Sequence, residues 1–246
     1  MTKIILPTLI FKESLSIEQQ VTRIKEYGAD GIEVRRERLK DISTELERFK
    51  HSIEASRIKT VVYSAPTELY LDSHTINPVA VTSIKEAELL QATHIKLSLG
   101  RFHADQANID TFQAWLDTNL PKGMKLLIEN DQSTYGGTLQ PMLSFFQWAS
   151  ESETSVRMTF DVGNWTVNEE DWQEAYNRLN PWIEYLHLKS VQKTKVGWES
   201  LPALKKHFSI PFPTYTAIEF PLTNPNTEGP QWIEKMRRTK LQCSKV

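Results

Sequence analysis

Glu129, Asp161, His187 and Glu219 each close a run of strand-like sequence: KLLIEND, VRMTFDVGN, IEYLHLKS and TAIEFPL. They lie 32, 26 and 32 residues apart, about the length of one strand-plus-helix unit each. Lone charged groups at the C-terminal ends of neighbouring strands would converge on one point, and that point is expected to hold a divalent metal. Three carboxylates and one imidazole without a thiolate make an oxygen-rich, hard donor set. Mn²⁺ is the favoured ion, with Mg²⁺, Co²⁺ and Zn²⁺ able to compete. Such an ion would stabilise the charge that develops when a proton leaves the carbon beside a ketone and an enediolate forms.

Strand parity adds a second group of residues. Side chains two apart on a strand share a face, so Glu33 goes with Arg35, Lys96 with Ser98 and His187 with Lys189. The intervening Ile32, Val34, Ile95, Leu97, Leu186 and Leu188 are aliphatic and suit the opposite layer, beneath helices. Arg35, Lys96 and Lys189 around one mouth would favour a substrate carboxylate or phosphate. The competing reading is a bracing layer of ion pairs, Glu33 with Arg35 or Lys96. Asn130, Asp131 and Gln132 follow Glu129 and would either orient the ligands or make a turn. Gly136 and Gly137 are a weak signal of a hinge or of phosphate approach. Trp165, Tyr70 and Trp198 could stack on a sugar, although packing is the commoner use of such rings. The other histidines, 51, 74, 94, 103 and 207, read as structural or solvated, His94 opening a strand at the stability end.

Strand and helix signals alternate about eight times along the 246 residues, which predicts an α/β fold, a single (β/α)₈ TIM barrel spanning 1–246. Strands are predicted near 3–9, 30–35, 59–65, 93–99, 124–130, 156–161, 183–189 and 215–220. Between them lie amphipathic stretches such as Ile17, Val21, Ile24 and Tyr27, or Ile42, Leu46, Phe49 and Ile53. Gly28 and Gly123 stand where a helix ends before a strand. The polar segment 237–246 is expected to fray.

A net charge of −2 gives no whole-molecule attraction for nucleic acid or an anionic membrane, which leaves a small molecule as the expected partner. A homo-oligomer is compatible with this composition. Cys243 is the only cysteine, so no internal disulfide forms and a reducing cytoplasm suits the chain. The apolar residues 4–11 are broken by Pro7 and followed by charge, so neither a signal peptide nor a membrane span is expected there.

On the strings GIEVRRE (31–37), SAPTELY (64–70), IKLSLG (95–100), LIENDQS with the following GG (127–137), MTFDVGNW (158–165) and AIEFPL (217–222), the whole chain resembles the xylose-isomerase-like TIM-barrel proteins, sugar isomerases and epimerases. Its Glu129, Asp161, His187 and Glu219 match the metal set of their ketose 3-epimerase branch. More narrowly it is similar to the epimerase-like proteins of 2-ketogluconate utilisation. The resemblance implies that Glu129 and Glu219 share proton transfer on opposite faces of the enediolate. Two substrate positions depart from the 3-epimerases: Asn164 stands where they carry a His, and Lys193 where they carry an Arg. Asn164 can still hydrogen-bond a hydroxyl but cannot act as an acid. Gly163 is read as permitting a sharp turn after the sixth strand. The expected activity is therefore isomerisation or epimerisation of a keto sugar acid or phosphate. The alternatives are a metal-dependent dehydratase of a keto-inositol-like sugar and a non-catalytic sugar-binding barrel. Scarce histidines and the missing basic stripe count against the DNA-repair endonuclease branch, with its trinuclear zinc centre.

Overall fold

The structure, a computed structural model, describes residues 2–11, 15–152 and 154–243. Eight parallel strands close into a barrel: β1 (Lys3–Pro7), β2 (Gly31–Arg35), β3 (Thr60–Tyr70), β4 (His94–Gly100), β5 (Lys125–Glu129), β6 (Arg157–Asp161), β7 (Ile183–Leu188) and, after a hairpin of β8 (Ser190–Thr194) and β9 (Gly197–Leu201), β10 (Tyr215–Ile218). β1 pairs with both β2 and β10, so no edge is left open.

The helices on the outside are α1 (Ile17–Glu26), α2 (Ile42–Ala55), α3 (Pro78–Leu89), α4 (Ile109–Asn119), α5 (Leu139–Ala149), α6 (Val162–Val167), α7 (Trp172–Leu179) and α8 (Pro225–Cys243). Their starts are chemically marked. Ser16 and Gln19 form a reciprocal capping box on α1, and Asp41, Asn77, Asn108, Asp161 and Asp171 cap α2, α3, α4, α6 and α7. Gly28 takes positive φ at the end of α1, as its placement predicts, whereas Gly123, also at positive φ, lies in the turn beyond α4, whose cap Leu120 is extended. α8 runs on to Cys243, so 237–243 is helical where fraying was expected; 244–246 lie outside the described residues.

Alternation along each strand sorts the side chains as parity predicts. Ile32, Val34, Ile95, Leu97, Leu186 and Leu188 belong to the large apolar layer between barrel and helices, whereas Ile5, Val62, Leu127, Tyr185 and Ala217 fill the barrel interior. Each fully buried aliphatic or aromatic side chain stabilises the fold by roughly 1.5–3 kcal/mol. Above that small interior plug the inward positions turn polar, which is where the chemistry sits. The pairing of β3 with β4 shifts between Ser64 and Glu68, around Pro66. Proline cannot donate to a ladder and is accommodated at such an irregularity, which carries the strand on to Tyr70.

No helix among the described residues is long and apolar enough to cross a membrane.

Candidate active site and metal centre

Four consecutive barrel positions carry the four sequence-derived ligands in the order Glu219, His187, Asp161, Glu129, on or just after β10, β7, β6 and β5. Asp161 and His187 are direct partners across the β6–β7 ladder, and the Glu219 backbone N–H donates to the Leu188 carbonyl at 3.0 Å. One donor atom from each of the four lies within 4.8 Å of the others. His187 Nδ1 is 3.0 Å from Glu129 Oε1, 3.2 Å from Glu219 Oε1 and 3.7 Å from Asp161 Oδ2. His187 Nδ1, Glu129 Oε1 and Asp161 Oδ2 are buried and make no well-aligned hydrogen bond, although the Lys189 ammonium lies close to the last of them. Buried polar atoms left without partners are costly. Three that face one another fit a shared cation, and the group could hold a metal.

Asp161 is fixed through its backbone. The Asn130 amide donates to the Asp161 carbonyl at 3.0 Å and accepts its N–H at 2.8 Å, while Asn164 donates to the Asn130 carbonyl at 2.8 Å. Asp161 Oδ1 in turn caps α6 by accepting the Asn164 N–H at 3.0 Å. Asn130 thus orients the candidate ligand Asp161. Asp131 instead takes the turn role, accepting from both the N–H and the hydroxyl of Ser133.

Of the three cations expected at the mouth, Arg35 and Lys189 are there, whereas Lys96 lies buried beneath it, and each of the three pairs with candidate ligands. Lys96, 2% exposed, contacts Glu129 Oε2 at 2.7 Å and Glu33 Oε1 at 3.8 Å. Lys189 Nζ sits 2.6 Å from Glu219 Oε2 and 2.8 Å from Asp161 Oδ2. Arg35 binds Glu37 at 2.7 Å and Glu33 at 3.2 Å, and also pairs closely with Glu219. The anion-site reading and the bracing reading therefore share the same residues. Burial opposes ionisation throughout this cluster, and opposite charges outweigh it at most positions. Glu33 and Glu219 are held well below the usual carboxylate range, Glu33 chiefly by Lys96 and His187, Glu219 chiefly by Lys189 and His187. Glu129 is lowered mainly by Lys96. Asp161 is the exception: burial, with Glu219 adding to it, exceeds the pull of Lys189 and raises its pKa to about 6.

A cavity of about 380 Å³ opens over the cluster, and Glu129, Glu219, Arg35, Lys189, Asn164 and Gln132 are among its walls. Asp161, His187 and Lys96 do not reach it. The remaining walls include Ser64, Ser98, Glu68 and Asp131. Tyr135 secures Glu68 by donating its hydroxyl at 2.7 Å, and Arg101 stacks over that ring at 4.0 Å.

Of the secondary readings, packing holds for Trp165 and Tyr70 and a structural role for His94, while the turn reading of Gly163 is corrected. Trp165 is buried against Phe160, and Tyr70 lies in an aromatic cluster with Phe102, Phe112 and Phe145, so neither meets the cavity. Trp198 belongs to the β8–β9 hairpin under Lys193, away from the cavity walls. Gly163 adopts no left-handed turn; a Cβ there would stand 2.6 Å from Lys189 Cγ, so it makes room for the lysine stem. Gly136 and Gly137 likewise admit the Gly100 and Asp131 backbones. His94 is structural, held by Thr93 at 2.8 Å and edge-on to Tyr215. Sequence reasoning missed Tyr185, although it lies two residues before His187 and so on the same face, and it missed the β8–β9 hairpin.

No protein-family model matches the chain, and no curated protein matches it in sequence. Solved structures do match in fold. A xylose isomerase domain containing protein from Salmonella typhimurium aligns with TM-score 0.68 at 13% identity over 98% of this chain and 97% of that one. An AP endonuclease, family 2, from Brucella melitensis gives 0.67 at 11% identity over 96% and 99%. The 3-keto-D-glucoside 4-epimerase of E. coli gives 0.64 at 12% identity over 97% and 100%. The chain shares the (β/α)₈ barrel fold of these proteins, a xylose isomerase domain containing protein, a sugar epimerase and an AP endonuclease among them.

Proposed function

We propose that this protein is a divalent-metal-dependent isomerase or epimerase of a keto sugar, with a sugar acid or sugar phosphate as its substrate class. One observation carries the reading: of the four convergent ligands, only Glu129 and Glu219 reach the cavity, while Asp161 and His187 stay beneath. That is the division expected when two residues hold an ion and two also handle protons. Mn²⁺, the ion best suited to this donor set, would supply electrostatic stabilisation of a developing oxyanion.

Glu129 and Glu219 flank Asp161 and His187 in the barrel order, so they approach a substrate from two sides. One removes the proton next to the carbonyl and the other returns a proton to the opposite face; the substrate's starting configuration decides which does which. Arg35 and Lys189 are the cavity cations that would meet an anionic group, and Asn164 and Gln132 offer hydrogen bonds to hydroxyls. Lys96 supports Glu129 from below. The wholly polar character of these side chains suits a hydroxylated substrate. A 3-keto-glucoside epimerase among the proteins of this fold supports the same chemistry, and the single Cys243 supports a reducing cytoplasmic setting.

The test is a panel of 2-keto sugar acids and ketose phosphates turned over with Mn²⁺ in D₂O. Solvent deuterium must appear on the carbon beside the carbonyl. Glu129→Gln and Glu219→Gln should each abolish inversion. In a given direction one variant should still wash deuterium in and the other should not. Inversion without deuterium uptake by the parent enzyme would sink the two-glutamate reading, and loss of water from the substrate would mark a dehydratase instead.

A further inference from the structure

Glu33 is completely buried and takes no part in the cavity wall, yet four polar groups meet on its carboxylate. Oε2 accepts the Tyr185 hydroxyl at 2.7 Å and lies 2.9 Å from His187 Nε2. Oε1 takes Arg35 Nη1 at 3.2 Å, with Lys96 Nζ at 3.8 Å. The carboxylate therefore stands behind the imidazole, on the side away from Glu129, Asp161 and Glu219.

Both imidazole nitrogens face carboxylates, so a cation held by Glu129, Asp161 and Glu219 would displace the hydrogen on Nδ1 and leave the one on Nε2 facing Glu33. An ionised carboxylate offers only lone pairs, so the nitrogen facing Glu33 must carry a hydrogen. A neutral ring with its proton on Nε2 has its lone pair on Nδ1, the nitrogen aimed at the three carboxylates. The ring is also held edge-on by Tyr185, with centroids 4.5 Å apart and planes at 82°, and the Tyr185 hydroxyl shares the Glu33 oxygen that His187 uses. The Nε2 hydrogen and the ring's orientation thus share one anchor.

We infer that Glu33 is a positioning residue for the metal centre, holding His187 with Nε2 protonated and Nδ1 presented as the donor atom. The inference rests on the metal-dependent reading above and deepens it. A glutamine at 33 would test it well, because its amide can turn an N–H toward Nε2 and stabilise the opposite tautomer, whose Nδ1 carries hydrogen and cannot bind a metal.

The experiment titrates Co²⁺ into metal-stripped parent, Glu33→Gln and Tyr185→Phe proteins, following the visible absorption bands of the bound ion. Glu33→Gln should weaken binding by about 10–100-fold, the usual effect of removing a partner behind a ligand, and alter the bands. Tyr185→Phe leaves the carboxylate on His187 and should cost much less. Parental affinity and spectrum in Glu33→Gln overturn the inference, and equal losses in both variants do so too, since they would mean general loosening of the core. A parent that binds no Co²⁺ sinks the metal reading itself and the inference with it. A measurement on the unmutated protein guards against a misfolded variant. Histidine-selective ¹⁵N NMR of the Zn²⁺-loaded parent should show His187 coordinated through Nδ1 with hydrogen on Nε2, and coordination through Nε2 would overturn the assignment.

Discussion

The Lys189 ammonium lies 2.8 Å from Asp161 Oδ2 and 2.6 Å from Glu219 Oε2, so a divalent ion shared by the four ligands would draw on the same two carboxylates. Lysine and metal compete for one negative field. At such distances each charge contact is worth on the order of kcal/mol even at an effective dielectric near 20. Lys189→Met, which keeps the stem and removes the charge, should therefore bind Mn²⁺ on the order of tenfold more tightly by calorimetry. Unchanged or weaker binding would mean that the ammonium and the ion never contend. The four candidate ligands were legible in the sequence because a lone Glu, Asp or His among aliphatic strand residues has no packing reason to be there. Their partners were less so. Periodicity placed Lys96, Lys189 and Arg35 on the right face, but it carried no distances and could not tell that each would lean on a ligand.

At the scale of elements, the N-terminus of α6 follows β6 without a loop, and Gly163 presses against the Lys189 stem just beyond β7. A methyl group there would meet Cγ at 2.6 Å and Cε at 2.8 Å, both on a side chain pinned at its tip by two carboxylates. Overpacking of this kind commonly costs about 1–3 kcal/mol. Gly163→Ala should lower the chemical-denaturation midpoint accordingly, and Gly163→Ala combined with Lys189→Ala should regain much of the loss; strict additivity would show that the two do not touch. The eight barrel strands were readable to within a residue or two at most ends because both faces are buried, which gives compact aliphatic runs bounded by turn residues. The β8–β9 hairpin escaped notice for the converse reason. Most of its residues, from Gln192 through Glu199, are exposed or half-exposed, so SVQKT and GWESL carry no apolar stripe, and the lone marker is Gly197 at φ +133° in the turn.

At the scale of the whole molecule, the barrel is closed by its first and last strands, and its centre is assembled from segments far apart in the chain. Glu33 reaches Tyr185 and His187 across 152 and 154 residues, and Arg35 reaches Glu219 across 184. Contacts of that separation form late, since the loop-closure entropy must be met before they contribute. Refolding followed by far-ultraviolet circular dichroism should thus run ahead of refolding followed by Co²⁺ absorption. Coincident traces would show that the ligands gather before the barrel shuts. The same separation matters during synthesis. A nascent chain that has passed Lys96 but not His187 holds Glu33 and its cations with neither imidazole nor Glu219 to complete them, and burying that partial set is expensive. A truncated product of translation should accordingly stay open and protease-sensitive. Completion of the charge cluster would then act as a built-in check that the ribosome has finished the strand carrying Glu219.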